Sequence, residues 1–389
     1  MSRIWENIVL GAGASGLMLC SLLKSRRDTL LLEKGREIGA KIAISGGGQC
    51  NLCNMNPKIS DYRGDPQFIE AVIKRFDRRE LLKWFENRAL KTTLREGGKI
   101  FCSGSARDVV DIFAREIEGV TLKKGFEVKR AYREGRHFVV EGEKESFRSK
   151  NLIVALGGRS YPRLGGGDTG LQIAESFSHS IVSTAPALTG FTPQKEQFFF
   201  KELSGISTYV TLKVGERVFA GDLLFAHRGI SGPVVLDASL WWEKGEIEID
   251  FLPSFSFDRV RSSKKLLSTV LPLPKRLSKV LIELAGVEDR NCYRLTSGEW
   301  KRLEVLGSYR FAPAGTFGYA RAEVMRGGVD CAEIDPRTMM SRLEEGLFFI
   351  GEVLDVTGRV GGYNFQWAFS SAKVCADTLN GGRNRRTPA

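Results

Sequence analysis

The chain is poor in histidine. Its 389 residues include only three, His137, His179 and His227, which leaves little material for a histidine-based metal centre. Cysteine is also sparse. Cys20, Cys50, Cys53, Cys102, Cys292, Cys331 and Cys375 are odd in number and mostly scattered, unlike a secreted disulfide framework. Cys50-x-x-Cys53 has metal-ligand spacing, but no second cluster completes a zinc site, so no metal is expected. There is no membrane-length apolar run, and the opening Met-Ser-Arg-Ile-Trp-Glu is not a basic-then-apolar leader. The expectation is a cytoplasmic protein without a membrane partner. Acid is in deficit: 58 Lys plus Arg against 46 Asp plus Glu give a net charge of +12. The cations are spread out, as in Lys74-Arg75, Arg78-Arg79, Lys123-Lys124 and Lys264-Lys265, and the tail Arg383-Asn384-Arg385-Arg386 is short. A solvated basic face that attracts an anionic cofactor is expected ahead of nucleic-acid binding.

Glycine is plentiful. The 43 glycines cluster in short motifs, which points to ligand-cradling turns and not to low complexity. The first motif organises the chain. Asn7–Leu10 is a short apolar run, followed by Gly11-Ala12-Gly13-Ala14-Ser15-Gly16. Leu17, Met18, Leu19, Leu22 and Leu23 continue as a helix, Leu30–Leu32 forms the next strand, and Glu33-Lys34 closes it. A G-x-G-x-x-G between strand and helix, with an acid 22 positions after Gly11, is a dinucleotide fingerprint in its proper context. Gly11 permits the turn, Gly13 lets a pyrophosphate approach the backbone, and Gly16 lets helix and strand pack closely. The helix N-terminus favours a phosphate. Glu33 suits a ribose hydroxyl and would repel a 2′-phosphate.

Four later stretches extend this site. Lys41 and the run Ser45-Gly46-Gly47-Gly48-Gln49-Cys50-Asn51 offer a phosphate partner and a second close approach. Asn151–Leu156 reads as a buried parallel strand ending in Gly157-Gly158, where ligands sit in an open α/β sheet. Gly165–Gly170 forms another loop before a helix, with Asp168 either a cap or a ligand. Near the end, Leu347–Ile350 is a strand leading to Gly351-Glu352, then Gly361-Gly362-Tyr363-Asn364 and a helix to Leu379. Glu352 can bind a ribityl hydroxyl, and the helix N-terminus at Asn364 can face a flavin pyrimidine. The cofactor is therefore expected to be FAD. Its expected contacts are Gly11, Gly13, Ala14, Ser15, Gly16, Glu33, Lys34, Lys41, Gly47, Gly48, Cys50, Asn51, Gly157, Gly158, Gly351, Glu352, Gly362, Tyr363 and Asn364.

Other signals organise the rest. Asp65-Pro66 and Asp77-Arg78-Arg79-Glu80 start helices, and the latter has capping-box spacing. Phe126–Tyr132 and His137–Glu141 read as a hairpin, and His179 reads as structural. From Gly190 short β-like runs appear, and Ser256–Gly307 is basic, leucine-rich and helical. The expected domains are 1–190 and 341–389 for the cofactor, 191–255 with 308–340 for a β-rich substrate domain, and 256–307 for a helical insert. Leu223–Pro233 places His227 and Arg228 among apolar residues and glycines. It is either an active-site loop or a buried histidine beside a surface arginine.

Six segments together carry a family resemblance. They are Ser45–Asn51, Leu224–Pro233, Arg326–Val329, Glu333–Pro336, Gly351–Asp355 and Gly361–Asn364. In them the chain resembles the FAD-binding aminoacetone-oxidase-like flavoproteins, a family that also includes bile-acid dehydro-reductase-like members. The resemblance spans nearly the whole chain. It implies an α/β fold: a Rossmann-like FAD domain of glutathione-reductase type, an inserted β-barrel-like domain and a small helical module. The chain departs from the family at Gln49, where Arg is usual, at Cys53, where Thr or Ser is usual, and at Met325, where Thr is usual.

The expected function is an FAD-dependent oxidoreductase. The flavin would take a hydride at N5 from a small-molecule substrate or a transiently bound NAD(P)H and pass electrons to oxygen or another acceptor. His227, Arg228 and Tyr363 are the substrate-side candidates. Two alternatives stand: an RNA-associated flavoprotein of tRNA-modifying type, and a dithiol reductase using Cys50 and Cys53.

Overall fold

The structure, a computed structural model, describes residues 3–381. The basic tail Arg383–Arg386 lies outside them. Two compact units form, Met1–Pro186 with Glu323–Ala389, and Ala187–Ala322.

The first unit is built on a seven-stranded sheet. Thr121–Lys124, Thr29–Glu33, Ile4–Leu10 and Ser146–Val154 lie side by side in that order, all parallel. Ser146–Val154 serves two further neighbours. Its first residues pair antiparallel with His137–Glu141, and its last three pair parallel with Leu347–Phe349. Arg130–Glu134 completes a hairpin with His137–Glu141. The central strands are continuous apolar runs because both faces are covered: Ile8, Val9, Leu10, Leu152, Ile153 and Val154 are fully buried. Each such side chain contributes roughly 1.5–3 kcal/mol by leaving water. The parallel strands end on one edge of the sheet, where the glycine turns follow.

Local chemistry sets the helices of this unit. Asp65 caps Pro66–Ile73 by accepting from the N–H groups of Gln67 (2.8 Å) and Phe68 (2.9 Å). Asp77 accepts from Arg79 and Glu80, and the Glu80 carboxylate accepts in return from the Asp77 N–H, a complete capping box for Arg78–Glu86. The helices Ala14–Leu22 and Tyr363–Leu379 pack together, so both ends of the chain meet beside the sheet.

The second unit holds a seven-stranded antiparallel sheet. Its edge strands are Tyr309–Phe311 and Pro313–Thr316, with Ala312 alone between them. The sheet must therefore curl until its edges meet, which gives the barrel-like form. The helical stretch 256–307 is not a separate module. Leu267, Leu277, Leu281 and Trp300 share one core with Phe200, Phe225, Phe251 and Phe311 of the sheet region. The expected 308–340 segment also divides. Val324–Val329 pairs with Ile181–Ala187, so residues from 323 onward belong with the cofactor unit. Leucine patterning marked those helical residues as core-facing but could not say which core they would join.

Candidate flavin-binding site

The three glycines of the first turn do different work. A Cβ on Gly16 would lie 2.0 Å from the Gly11 carbonyl oxygen, so helix and strand approach as only glycine permits. A Cβ on Gly13 would meet nothing within 4 Å. Gly13 thus borders open space at the start of helix Ala14–Leu22, which has neither a side-chain cap nor an acid in its first turn. Its N–H groups are available to a phosphate. Glu33 reaches back to this turn. One carboxylate oxygen accepts from the Ala12 N–H (2.7 Å), the other from the Gly35 N–H (2.6 Å). Each oxygen keeps lone-pair capacity for a ribose hydroxyl. Ala14 and Ser15 are in the first helical turn, and Ser15 is buried. Lys34 points elsewhere, pairing with Glu127 at 2.7 Å on the exposed surface.

Residues distant in sequence assemble the second half. Lys41, on the short helix Ala40–Ile44, places Nζ 3.4 Å from Glu352 Oε2. The other Glu352 oxygen accepts from the Met325 N–H at 2.9 Å. Gly157 and Gly158 lie against the same carboxylate: a Cβ at Gly158 would be 3.1 Å from Glu352 Oε1. Gly47 and Gly48 resemble Gly13, since a Cβ on either would meet nothing within 4 Å. The Asn51 amide donates to the carbonyls of Cys53 and Ile100 and accepts from the Gly362 N–H, the orientation its neighbours dictate. Gly362 is the N-cap of Tyr363–Leu379, and this helix also lacks a side-chain cap. Its N-terminal dipole is therefore uncompensated by a capping side chain.

Several expectations need correction. The Asn364 side chain closes a loop, donating to the Gly358 carbonyl and accepting from the Gly358 N–H, both at 2.8 Å. Only its backbone remains for a ligand. Tyr363 is buried, its ring edge-on to Tyr62 at 5.6 Å, and Tyr62 donates to its carbonyl. Asp168 makes no side-chain cap and instead pairs with Arg159. Cys50 and Cys53 are buried, and desolvation pushes both thiols up to about 12. A dithiol reductase needs a thiolate at neutral pH, so this pair is unsuited to that chemistry. His227 and Arg228 occupy the turn between Arg217–Ala226 and Gly229–Ser231 of the second unit, and both are exposed. The buried-histidine alternative fails there. His179 is structural: Nδ1 is 2.9 Å from Glu333 and Nε2 is 2.8 Å from Ser341.

The supports of the Gly351–Glu352 turn left little trace in the sequence. Trp367 Nε1 donates to the Gly351 carbonyl at 3.0 Å, and Ser371 Oγ accepts from the Gly351 N–H at 3.0 Å. They fix the turn that carries Glu352. Their only signal was a position one helical turn apart on the closing helix. The charge usual at position 49 is also partly restored in space, because Arg95 donates to Gln49 Oε1 at 2.6 Å. Among the described residues no group of three or more His, Cys, Asp or Glu could hold a metal ion, and no helix is long and apolar enough to cross a membrane.

An open glycine cradle, two uncapped helix N-termini, an acid held at the first turn and a Lys–Glu pair fit a bound FAD. The sequence also matches the HI0933-like protein Rossmann domain over residues 5–378. The chain belongs to the HI0933-like family. It is an FAD-dependent oxidoreductase, and FAD is its cofactor. Three relatives of this HI0933-like chain are informative. It is 38% identical to the ribosomal RNA dihydrouridine synthase of Haemophilus influenzae, over 98% of this chain and 100% of that protein. It is 36% identical to the ribosomal RNA dihydrouridine synthase of Escherichia coli, over 96% of this chain and 98% of that protein. It is 30% identical to the 3-dehydro-bile acid delta(4,6)-reductase of Clostridium scindens, over 93% of this chain and 96% of that protein.

Proposed function

We propose that this protein is a reductase of a carbon–carbon double bond conjugated to a carbonyl, and that its substrate is uridine in ribosomal RNA. The observation that carries the reading is the end-to-end 38% identity to the Haemophilus influenzae enzyme. The Clostridium scindens relative is named for a steroid, but the chemistry implied by its name is the same. An unsaturated 3-oxo steroid and a uracil ring both present an alkene polarised by a carbonyl. The net charge of +12 suits a polyanionic substrate. This reverses the order of expectation, in which a small molecule came first.

In the reaction the uracil C5=C6 bond gains a hydride at C6 and a proton at C5. When bound, FAD supplies the hydride, and NADH or NADPH restores it. The chain's own residues hold that cofactor. The N–H groups after Gly13 and Lys41 would meet its phosphates, Glu33 its ribose and Glu352 its ribityl chain, with Cys50, Asn51, Gly157 and Gly158 in the surrounding wall. His227 and Arg228, exposed on the second unit, are of the residue types that give a proton and hold a carbonyl or a phosphate.

The test uses the FAD-loaded protein, NADH or NADPH, and ribosomal RNA lacking dihydrouridine, without oxygen. Nucleoside mass spectrometry should find uridine that has gained two hydrogens. Flavin reoxidation by a steroid dienone with no change in the RNA would favour a small-molecule reductase. Bleaching by an amine such as aminoacetone, followed by recolouring in air, would favour an oxidase.

A further inference from the structure

The second unit carries a cluster of cations that internal pairing does not explain. Residues Ser263–Leu267 and Arg290–Tyr293 run antiparallel. The Tyr293 N–H donates to the Ser263 carbonyl (3.1 Å), the Cys292 N–H to Lys265 (3.1 Å), and the Leu267 N–H to Arg290 (3.0 Å). This ladder fixes Lys264 and Lys265 beside Tyr293 and Arg294. All four are exposed, and Tyr293 shows 52% of its surface. Arg294 lies against the Tyr293 ring, its guanidinium carbon 5.5 Å from the centroid.

The neighbouring acids are already engaged. Asp289 accepts from the Ser268 N–H and hydroxyl, Glu288 and Glu299 pair with Arg290, and Asp258 pairs with Arg261. Among the described residues Lys264, Lys265 and Arg294 have no carboxylate partner. Three unpaired cations held within a few residues of one another repel, and an external anion would relieve them. An exposed aromatic ring among cations is also the arrangement that takes a stacked base between phosphates.

We propose that the Arg261–Lys265 segment and the Tyr293–Arg294 turn form a docking surface for single-stranded or looped RNA. Lys264, Lys265 and Arg294 take phosphates, and Tyr293 stacks on an unpaired base. The proposal rests on the ribosomal RNA reading above and adds where on this chain the RNA is held.

The experiment measures binding of protein-free ribosomal RNA to the full-length, FAD-loaded protein across a salt series. Two variants are compared with the wild type, K264Q/K265Q/R294Q and Tyr293→Ala, each checked for bound flavin by absorbance. The triple variant should bind at least about tenfold more weakly, with a log–log salt slope smaller by about 2. Tyr293→Ala should weaken binding about fivefold or more while leaving that slope unchanged, because a stacked ring releases no counterions. Wild-type affinity and slope in the triple variant would overturn the docking surface while leaving the RNA substrate intact. No binding by the wild type even at low salt would overturn both.

Discussion

At the scale of single residues, Gly13 and Gly16 separate binding from folding. Gly13 has extended backbone (φ −84, ψ −167), which any residue adopts, and open space beyond it. Gly13→Ala should therefore fold with a near-normal Tm yet hold FAD at least about tenfold more weakly, because the methyl group occupies phosphate space. Gly16→Ala puts a methyl group into the Gly11 carbonyl and should cost about 1–3 kcal/mol or more in stability. Thermal melts of the apoproteins and FAD titrations check the pair; equal FAD affinity in Gly13→Ala and wild type would remove the cradle. The cysteines give a second expectation. All seven are buried and free. At pH 8 an alkylating reagent should leave Cys50 and Cys53 unlabelled in the native protein and label all seven in denaturant, read by mass spectrometry. Rapid native labelling of Cys53 would revive the dithiol chemistry. The roles of the fingerprint glycines could be read from their order, because backbone geometry is local. The state of Cys53 could not, because burial depends on what the rest of the chain places over it.

At the scale of elements, the helix Tyr363–Leu379 does two jobs. Its N-terminus is left without a side-chain cap, and Trp367 and Ser371 brace the Gly351–Glu352 turn. Trp367→Phe keeps most of the buried volume but leaves the Gly351 carbonyl with only the Leu354 N–H, at 3.3 Å, as donor. It should cost about 1 kcal/mol and weaken FAD binding, because the turn that carries Glu352 loses one support. Urea melts and a flavin titration measure both effects. A lowered Tm with unchanged FAD affinity would limit Trp367 to stability. The capping boxes and the helix starts at Asp65 and Asp77 were legible because a cap is satisfied within four residues. The antiparallel edge of the sheet was less so. The hairpin was expected from Phe126, but the paired strand begins at Arg130, since pairing is set by the partner strand and not by the run's own composition.

At the scale of the whole molecule, charge and protonation matter most. Burial holds His179 below the ordinary histidine value, opposed by its hydrogen bond to Glu333. Its folded pKa is thus lower than its unfolded one, so the unfolded chain binds more protons. The stability this neutral histidine contributes is present above about pH 6.5 and is lost as pH falls below it. Urea unfolding from pH 8 to 5 should show the wild-type advantage over His179→Gln shrinking as pH drops; an advantage that grows in acid would contradict the assignment. The sequence by itself determined the dinucleotide fingerprint and the α/β class, because a strand, a glycine turn, a helix and an acid lie within one short segment and interact locally; the late Gly351–Asn364 motif narrowed the dinucleotide to FAD. Only the tertiary structure decided that Lys41, Gly157, Met325 and Glu352 meet at one carboxylate, that helices 256–307 join the β-rich core, and that Lys264 and Lys265 stand beside Tyr293. Those contacts join residues far apart in sequence, and neither period nor composition encodes which distant partner a side chain will find. The opening glycine turn therefore marks a dinucleotide site, while the folded chain sets its surroundings.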